Sequence, residues 1–197
     1  MYVVKPFAVL MRHLAKSLFL FAFIIASLKV FTQKTDDYLY WSATRKLTAK
    51  DFVIKTSGGK TTSSFAQFFF SYEVRSSDFM TKNFNNKVHN CLIPSASWID
   101  TSYDINTSLR YQQTLFDLSE IYARRFRKDL KGNRKKLLKG TDFVKELNTK
   151  QVTDFSKRRV DYDSETQFAI NKIMQERWES LIQLELDQLK EFAVEEK

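Results

Sequence analysis

Side chains suited to metal ligation and disulfide bonding are scarce in this chain, which has two histidines and one cysteine among 197 residues. A single thiol excludes a disulfide within the chain. His13, His89 and Cys91 do not make a zinc site without carboxylates from elsewhere. A catalytic triad of the serine-hydrolase type would have to use His89, unless His13 remains in the mature protein. With four glycines and two prolines, the chain is also unlike collagen or Gly-rich linker proteins.

Apolar and basic side chains, by contrast, are abundant. Hydrophobic residues make up 43% of the chain and aromatic residues 15%, including 18 phenylalanines, so a substantial packed core is expected. The length fits one domain of ordinary size. The formal net charge is +9, from 32 Lys and Arg against 23 Asp and Glu, and a basic surface of this kind favours anionic partners.

The amino-terminal residues 1–33 have the pattern of an export signal. They carry four cations and no acid, and an uncharged, mostly apolar run of twelve residues occupies positions 17–28. A basic segment followed by an apolar run of this length is typical of a secretory signal peptide, whereas a membrane-spanning helix needs about 20 apolar residues. We therefore expect residues 1–33 to be a signal peptide, with a retained anchor at 17–28 as the alternative. Residues 34–197 are then a single exported domain, periplasmic or extracellular, and the apolar run is the expected membrane contact.

The first half of this domain has strand-like patterning. Aromatic-rich segments predict strands at 38–42, 65–74 and 87–93. The Gly-Ser-Thr-rich segment 56–64 predicts a loop, and its Gly-Gly-Lys-Thr lacks the spacing of a phosphate-binding P-loop.

The second half has helical patterning. Apolar residues recur at helical spacing from Asn106 to Gly132, which predicts one long helix. Ser164-Glu-Thr-Gln167 has the spacing of a capping box and predicts the start of a second helix with an apolar stripe as far as Leu189. Strands first and helices afterwards favour an α+β fold, in which a small antiparallel sheet is followed by long helices.

The first helix carries a specific motif. Its segment Tyr111-Gln-Gln-Thr-Leu-Phe-Asp-Leu-Ser-Glu-Ile-Tyr-Ala-Arg124 resembles the signature helix of an exported bacterial family described as secreted zinc-dependent proteases, domain of unknown function family 922. In that family the helix reads approximately His-Glu-Gln-x-His-Phe-Asp-Ile/Leu-Ala-Glu-x-Tyr-Ala-Arg. Eight residues match in register: Gln113, Phe116, Asp117, Leu118, Glu120, Tyr122, Ala123 and Arg124.

A second motif lies downstream and continues the resemblance. Tyr162-Asp-Ser-Glu-Thr-Gln-Phe-Ala169 is similar to the family's Tyr-Asp-x-x-Thr-x-His-Gly, and Gln175-Glu-Arg-Trp178 is similar to its Gln-x-x-Trp. Weaker matches include Trp41 and Ser97-Trp98, so the resemblance covers most of residues 38–185. It implies a zincin-like, minimal metallopeptidase-type single domain.

The resemblance also implies where the metal site would be. In the family motif, two His four residues apart on one helical face share a zinc ion, the Glu beside the first acts as general base, and a distant His completes the set. Here Tyr111 stands at the first His, Gln112 at the Glu, Leu115 at the second His and Phe168 at the downstream His. Leu and Phe offer no lone pair, and a neutral Gln cannot take the proton.

These four positions, which we call the replaced site, lead to the following expectations. The protein is a pseudoenzyme without catalytic residues, metal or other cofactor, and Tyr111, Leu115 and Phe168 lie close together as apolar packing. It acts as a binding or structural protein of the cell envelope, whose partner is a protein or an envelope polymer. The enzyme alternative is an active metal-dependent peptidase or hydrolase that uses non-standard ligands.

Other charged and ligating residues have simpler interpretations. Nine Lys and Arg against one acid in the segment 124–139 suggest a polyanion-binding module as a third hypothesis, whose test is replacement of residues 134–136. Nucleic acid is a disfavoured partner, because no known nucleic-acid-binding motif is present. His89 and Cys91 are expected to be structural, and Asp161, Asp163 and Glu165 to be a solvated or capping group in a loop. Glu120 and Arg124 have the spacing of a helical ion pair.

Overall fold

The structure is a computed structural model that describes residues 38–58 and 62–194. The described chain contains six short strands followed by three long helices, with short 3-10 helices in the connections. The strands are β1 (Leu39–Tyr40), β2 (Ile54–Thr56), β3 (Ser64–Phe65), β4 (Phe68–Tyr72), β5 (Val88–Leu92) and β6 (Trp98–Asp100). The long helices are α1 (Ile105–Gly132), α2 (Asp142–Thr166) and α3 (Lys172–Gln188). The predicted α+β class is confirmed.

The predicted signal peptide or anchor at residues 1–33 lies outside the described residues. Within the ranges that the structure describes, no helix combines the length and the apolar character needed to cross a membrane.

The strands form two three-stranded sheets. In the first sheet β5 lies between β1 and β4 and is antiparallel to both, with Phe68 opposite Leu92 and Tyr72 opposite Val88. In the second sheet β6 lies between β2 and β3, parallel to β2 and antiparallel to β3. The prediction of an antiparallel sheet is therefore correct for the first sheet and wrong for the second, which is mixed. Parallel pairing becomes possible because a long connection containing β3, β4 and β5 returns the chain to its original direction.

The predicted strand at 65–74 is divided between the two sheets. β3 ends at Phe65 and β4 begins at Phe68. Between these strands, the backbone N–H of Gln67 donates to Ser97 Oγ at 3.1 Å. The backbone carbonyl of Gln67 accepts the N–H of Ile93 at 2.9 Å. Ser97 and Ile93 belong to the connection between β5 and β6, so Gln67 marks the point where the chain passes from one sheet to the other. A run of aromatic residues does not reveal such a change of partner.

Helix α1 is the central element of the core. It begins after Asp104, whose carboxylate accepts the N–H of Asn106 at 3.0 Å, and it ends at Gly132 as predicted. It packs on both sheets and on α2 and α3. The ring of Phe116 stacks on Phe68 of β4 with centroids 5.0 Å apart. Burial of such a side chain contributes about 1.5–3 kcal/mol, so this long helix anchors the surrounding elements.

The prediction that the second helix begins at Ser164 is wrong. Residues 142–166 form a continuous helix, α2, and the apparent capping box lies in its last turn. The true start of α3 is at Asn171, whose side-chain oxygen accepts the N–H of Met174 at 3.2 Å. The predicted apolar stripe is also too long, because Ile170 and Ile173 are exposed and the buried face of α3 is formed by Gln175, Trp178, Ile182 and Leu186.

The connection between α2 and α3 has an unusual backbone. Gln167, Phe168 and Ala169 have φ values of 50°, 58° and 68°, in the left-handed region that favours glycine. The turn is held by Thr166, whose carbonyl accepts the N–H of Asn171 at 2.9 Å and whose hydroxyl donates to the carbonyl of Tyr162 at 2.7 Å. A left-handed conformation costs an L-residue about 1–2 kcal/mol, so these contacts are needed to maintain the turn.

Candidate functional site

The structure brings the first and last positions of the replaced site into contact. The rings of Tyr111 on α1 and Phe168 after α2 meet edge to face, with centroids 5.8 Å apart. Tyr111 also stacks on Tyr162 of α2, at 5.4 Å and an interplanar angle of 13°. The predicted proximity of Tyr111 and Phe168, which are distant in sequence, is therefore confirmed.

Leu115 and Phe168 differ in how far they are enclosed. Leu115 lies one turn after Tyr111 and has no exposed surface. Phe168, in contrast, is 38% exposed, because its left-handed backbone directs the chain out of α2 before α3 begins. The expectation that Phe168 fills a closed apolar cavity is wrong. It covers Tyr111 and also lines an open groove.

The hydroxyl of Tyr111 makes a short hydrogen bond with a carboxylate. It donates to Asp163 Oδ1 at 2.5 Å. Burial, and then this hydrogen bond, raise the pKa of Tyr111 above its usual range. Burial also raises the pKa of Asp163, while the hydrogen bond from Tyr111 and the charge of Arg159 oppose that increase. Tyr111 is thus a neutral donor at neutral pH, which is the opposite of the phenolate that a metal would require.

Arg159 connects this pair to the second sheet. Its Nε lies 3.7 Å from Asp163 Oδ2. Its guanidinium lies 5.4 Å from the centroid of the Phe65 ring in β3, within the distance of about 6 Å at which a cation is attracted to an aromatic face. The contribution of Asp163 and Arg159 was missed in the sequence. The signal available was their spacing of four residues, which suits a helical ion pair.

Gln112 connects helix α1 to strand β3, which also contains Phe65. It has no exposed surface, and its Nε2 donates to Ser64 Oγ at 3.0 Å. Its Oε1 has no hydrogen-bond partner among the described protein atoms. The amide is neutral and its donor is engaged, so Gln112 has no capacity to remove a proton from water or substrate.

The donors around the replaced site do not fit zinc. Tyr111 is a protonated phenol, and Leu115 and Phe168 have no ligating atom. Asp163 Oδ1 accepts the hydroxyl of Tyr111, and Asp163 Oδ2 lies 3.7 Å from Arg159. Over the ranges 38–58 and 62–194, no three His, Cys, Asp or Glu side chains are grouped so as to hold a metal ion. We therefore derive no catalytic step through a metal.

The other candidate ligands are separated. Asp161, Asp163 and Glu165 lie within α2 and not in the loop that was expected. Glu165 accepts the indole N–H of Trp178 at 2.9 Å, whereas Asp161 is exposed. On β5, Cys91 is buried and His89 packs edge to face on Tyr40 at 5.4 Å. Burial lowers the pKa of His89, and the charge of Arg127 lowers it further.

An open groove of about 450 Å³ adjoins Phe168. One wall is formed by Thr62 and Ser63, which lead into the edge strand β3. The remaining lining comes from the start of α1 and from the connection between α2 and α3: Tyr103, Asp104, Thr107, Ser108, Phe168, Ala169, Ile170 and Lys172. Tyr103 is 50% exposed and Ile170 is 73% exposed, so the groove presents apolar side chains to solvent.

The polar residues of the α1 motif contribute to the packing of the domain. Asp117 accepts the indole N–H of Trp41 at 2.7 Å and the amide of Gln113 at 2.9 Å. Burial raises the pKa of Asp117, which these hydrogen bonds oppose. The predicted ion pair of Glu120 with Arg124 is confirmed at 3.1 Å.

The basic run 124–139 is divided between the interior and the surface. Arg124 and Arg127 are buried with Glu120, and Arg125 binds Glu185 at 2.9 Å. The lysines at 128, 135, 136 and 139 are exposed. The run is therefore not a continuous cationic surface, because its arginines are held by contacts within the fold and its exposed lysines are the part available to a polyanion.

Comparison of the chain with models of known protein families, with curated proteins and with solved structures finds no match.

Proposed function

We propose that the protein is a catalytically inactive, metallopeptidase-like binding protein of the cell envelope. The proposal rests on the contact between Tyr111 and Phe168, which places two predicted ligand positions side by side although 56 residues of sequence lie between them. Export to the envelope rests on the pattern of residues 1–33 alone.

The residues that match the family pattern also contact one another, which supports the proposal. Trp41 binds Asp117, and Glu120 binds Arg124. Tyr162 donates to Gln175 Oε1 at 2.8 Å and packs against Trp178 at 5.4 Å. The matching residues thus form a framework, and the departures from the pattern are concentrated at the replaced site.

The backbone of Ala169 is a further argument for the register. Ala169 stands where the family motif has Gly, and its φ is 68°. Glycine is the residue that adopts this conformation at the lowest cost. A backbone that suits glycine is thus found where the family motif has Gly, which supports the proposed register.

The groove next to Phe168 is the proposed binding site, and an extended peptide is the proposed ligand. An extended peptide can add backbone hydrogen bonds at the edge of a sheet and place alternate side chains in apolar pockets. The groove offers both elements, since Thr62 and Ser63 lead into the edge strand β3 and Tyr103, Phe168 and Ile170 supply apolar surface.

The scaffold proposal is tested by restoring the ligands. In the variant Tyr111→His/Gln112→Glu/Leu115→His/Phe168→His, we expect one zinc ion per chain after equilibration with zinc, and a tetrahedral cobalt(II) spectrum when cobalt is used. The matched control, Arg110→His/Thr114→His/Phe168→His, has the same helical spacing on a neighbouring face and should retain no stoichiometric metal. Equal metal content in the two folded variants would contradict the assigned register.

A variant with only two substitutions tests the same proposal if the variant with four substitutions does not fold. Tyr111→His/Phe168→His keeps the buried Leu115 and joins two positions that already touch. Saturable cobalt(II) binding that is lost in either single variant is expected. If the double variant folds, as judged by circular dichroism, and binds no more cobalt than the wild type, the two positions do not form a ligand pair and the proposal fails.

Peptide binding is tested separately with a phage-displayed random peptide library. We expect selection on the wild-type chain to enrich apolar, extended sequences whose binding is lost in Ile170→Asp. Leu184→Asp, which alters an exposed leucine of α3 that does not line the groove, is the control and should leave binding unchanged. Peptides that bind the two variants equally well would place the binding site outside the groove.

A further inference from the structure

Two 3-10 helices, Ser76–Met80 and Arg134–Lys139, pack against each other on the surface. Arg134 joins them, since its Nε donates to the carbonyl of Phe79 and its guanidinium lies over the ring of Phe84 at 5.7 Å. Leu137 is completely buried and fixes the second helix to the core. The remaining side chains of Arg134–Lys139 therefore point outward from a fixed backbone.

The surface of these two helices is strongly cationic. The sequence has no acid from residue 79 to 99 or from residue 130 to 141. Four lysines are exposed here: Lys82, Lys135, Lys136 and Lys139. Asp78, the acid of the first 3-10 helix, is buried and bound to Lys87 at 2.9 Å. Asp142, at the start of α2, lies at the border and pairs with Lys145 at 3.8 Å.

Two large apolar side chains stand among these lysines. Met80 is 74% exposed and Leu138 is 63% exposed, although each belongs to a segment with a buried or half-buried neighbour, Phe79 or Leu137. Lysines combined with projecting apolar side chains are the composition of a surface that lies on an anionic lipid bilayer, where the charges meet headgroups and the apolar groups enter the boundary of the acyl chains.

We propose that the basic-apolar patch, formed by Met80, Lys82, Lys135, Lys136, Leu138 and Lys139, docks the domain on a membrane containing anionic phospholipid. This surface is separate from the groove and does not depend on the proposed peptide binding. Nucleic acid is the less favoured occupant, because phosphate contacts would engage the lysines and leave Met80 and Leu138 in water.

Arg134 is not part of the binding surface, which alters the test expected from the sequence. Its hydrogen bond to Phe79 and its contact with Phe84 hold the patch together. Replacement of Arg134 would disturb the fold, whereas Lys135, Lys136 and Lys139 are exposed and can be changed without loss of packing.

The experiment measures partition of the full chain onto vesicles by co-sedimentation. Vesicles of phosphatidylcholine alone are compared with equimolar phosphatidylcholine and phosphatidylglycerol at low salt. Binding to the neutral vesicles reports the apolar run 17–28 and should be equal in all variants. The excess binding to anionic vesicles reports the patch.

We expect Lys135→Gln/Lys136→Gln/Lys139→Gln to reduce that excess partition by at least about tenfold, since each lysine near an anionic surface adds to the electrostatic attraction. Lys50→Gln/Lys150→Gln/Lys157→Gln changes the charge equally at exposed positions elsewhere and should retain binding within about twofold. Equal loss in both triple variants would overturn the proposal, because binding would then follow net charge alone.

The apolar part of the patch decides between lipid and nucleic acid. Met80→Ser/Leu138→Ser keeps every charge, and we expect it to reduce the excess partition by about fivefold, since apolar burial scales with the area removed from water. Wild-type partition by this variant, together with lysine-dependent binding of a DNA duplex, would overturn the membrane proposal in favour of a polyanion site.

Discussion

Arg127 Nη1 lies 2.8 Å from Glu120 Oε1, and both side chains are almost completely buried. The same oxygen accepts from Arg124 Nε at 3.1 Å. Arg127 also donates to the carbonyls of Val88 and Phe192, so this cluster connects α1 with β5 and with the carboxyl-terminal segment. A buried ion pair of this kind stabilises the fold only while its charges remain matched.

Removal of the carboxylate that Arg124 and Arg127 share should therefore destabilise the fold strongly. We predict that Glu120→Ala lowers the free energy of unfolding by about 3–5 kcal/mol, because two buried guanidinium groups lose their counter-ion. Urea denaturation measures the change, and Glu146→Ala, at an exposed position of α2, is the control. A loss no larger than that of the control would show that the cluster is not matched as described.

The left-handed turn after α2 predicts a stabilising substitution. Ala169→Gly should raise the free energy of unfolding by about 1 kcal/mol, because glycine adopts a φ near 68° without the cost that alanine incurs. Ala123→Gly, at another buried alanine within α1, should have the opposite effect of roughly 0.5–1 kcal/mol. Thermal and urea unfolding distinguish the two signs. Destabilisation by Ala169→Gly would argue against the described turn.

The hydroxyl of Tyr111 should affect both stability and the titration of Asp163. We predict that Tyr111→Phe lowers the free energy of unfolding by about 1–2 kcal/mol, because Asp163 loses a hydrogen-bond donor in a partly buried place. Since that hydrogen bond favours the ionised carboxylate, its removal should also raise the pKa of Asp163 further. Carbon-detected NMR titration of the carboxyl carbon measures this. Tyr103→Phe, at a half-exposed residue, should leave the pKa unchanged.

Glu185 should contribute to sensitivity toward acid. Burial tends to raise its pKa, but the hydrogen bonds and charges of Arg158 and Arg125 prevail and lower the pKa below the usual 4.5. The unfolded chain then binds the proton more readily than the folded one, so the contribution of Glu185 is present above pH 4.5 and is lost as the pH falls through the lower, folded pKa.

We therefore predict that Glu185→Gln is less stable than the wild type by about 1 kcal/mol at neutral pH and that the two converge once the pH has fallen below the lowered pKa of Glu185 in the folded protein. Urea midpoints measured across this range test the prediction. A constant difference between the two proteins at all pH values would assign the effect to packing and not to the charge of Glu185. Glu146→Gln, at an exposed site, should follow the wild type throughout.

The elements predicted correctly from the sequence are those with a local signal. Helix α1 has apolar residues at helical spacing over its whole length and an aspartate at its start, so its pattern and its burial agree. β5 is a short segment with Val88, Cys91 and Leu92 buried, and it ends shortly before Pro94, which lacks the N–H needed to extend a strand.

Helix α2 was missed because its buried face is partly polar. The positions that face the core are Val144, Gln151, Phe155, Tyr162 and Thr166, which follow a regular spacing of seven and four residues. Gln151 Nε2 donates to Asp129 and the hydroxyl of Thr166 donates to a backbone carbonyl, so both side chains have a hydrogen-bond partner inside the fold. A periodicity search based on apolar residues cannot detect a face of this composition.

The sequence by itself determined that this chain has a large aromatic core, few His and Cys side chains, a neutral residue at 112 and non-ligating residues at 115 and 168, since these follow from which side chains are present. Only the tertiary structure decided that Phe168 contacts Tyr111 and that Asp163 accepts a hydrogen bond from the hydroxyl of Tyr111. It also decided that the basic run is divided between a buried cluster and an exposed patch. These are contacts between distant parts of the chain, and they depend on how α1, α2 and the sheets pack, which local patterns do not encode.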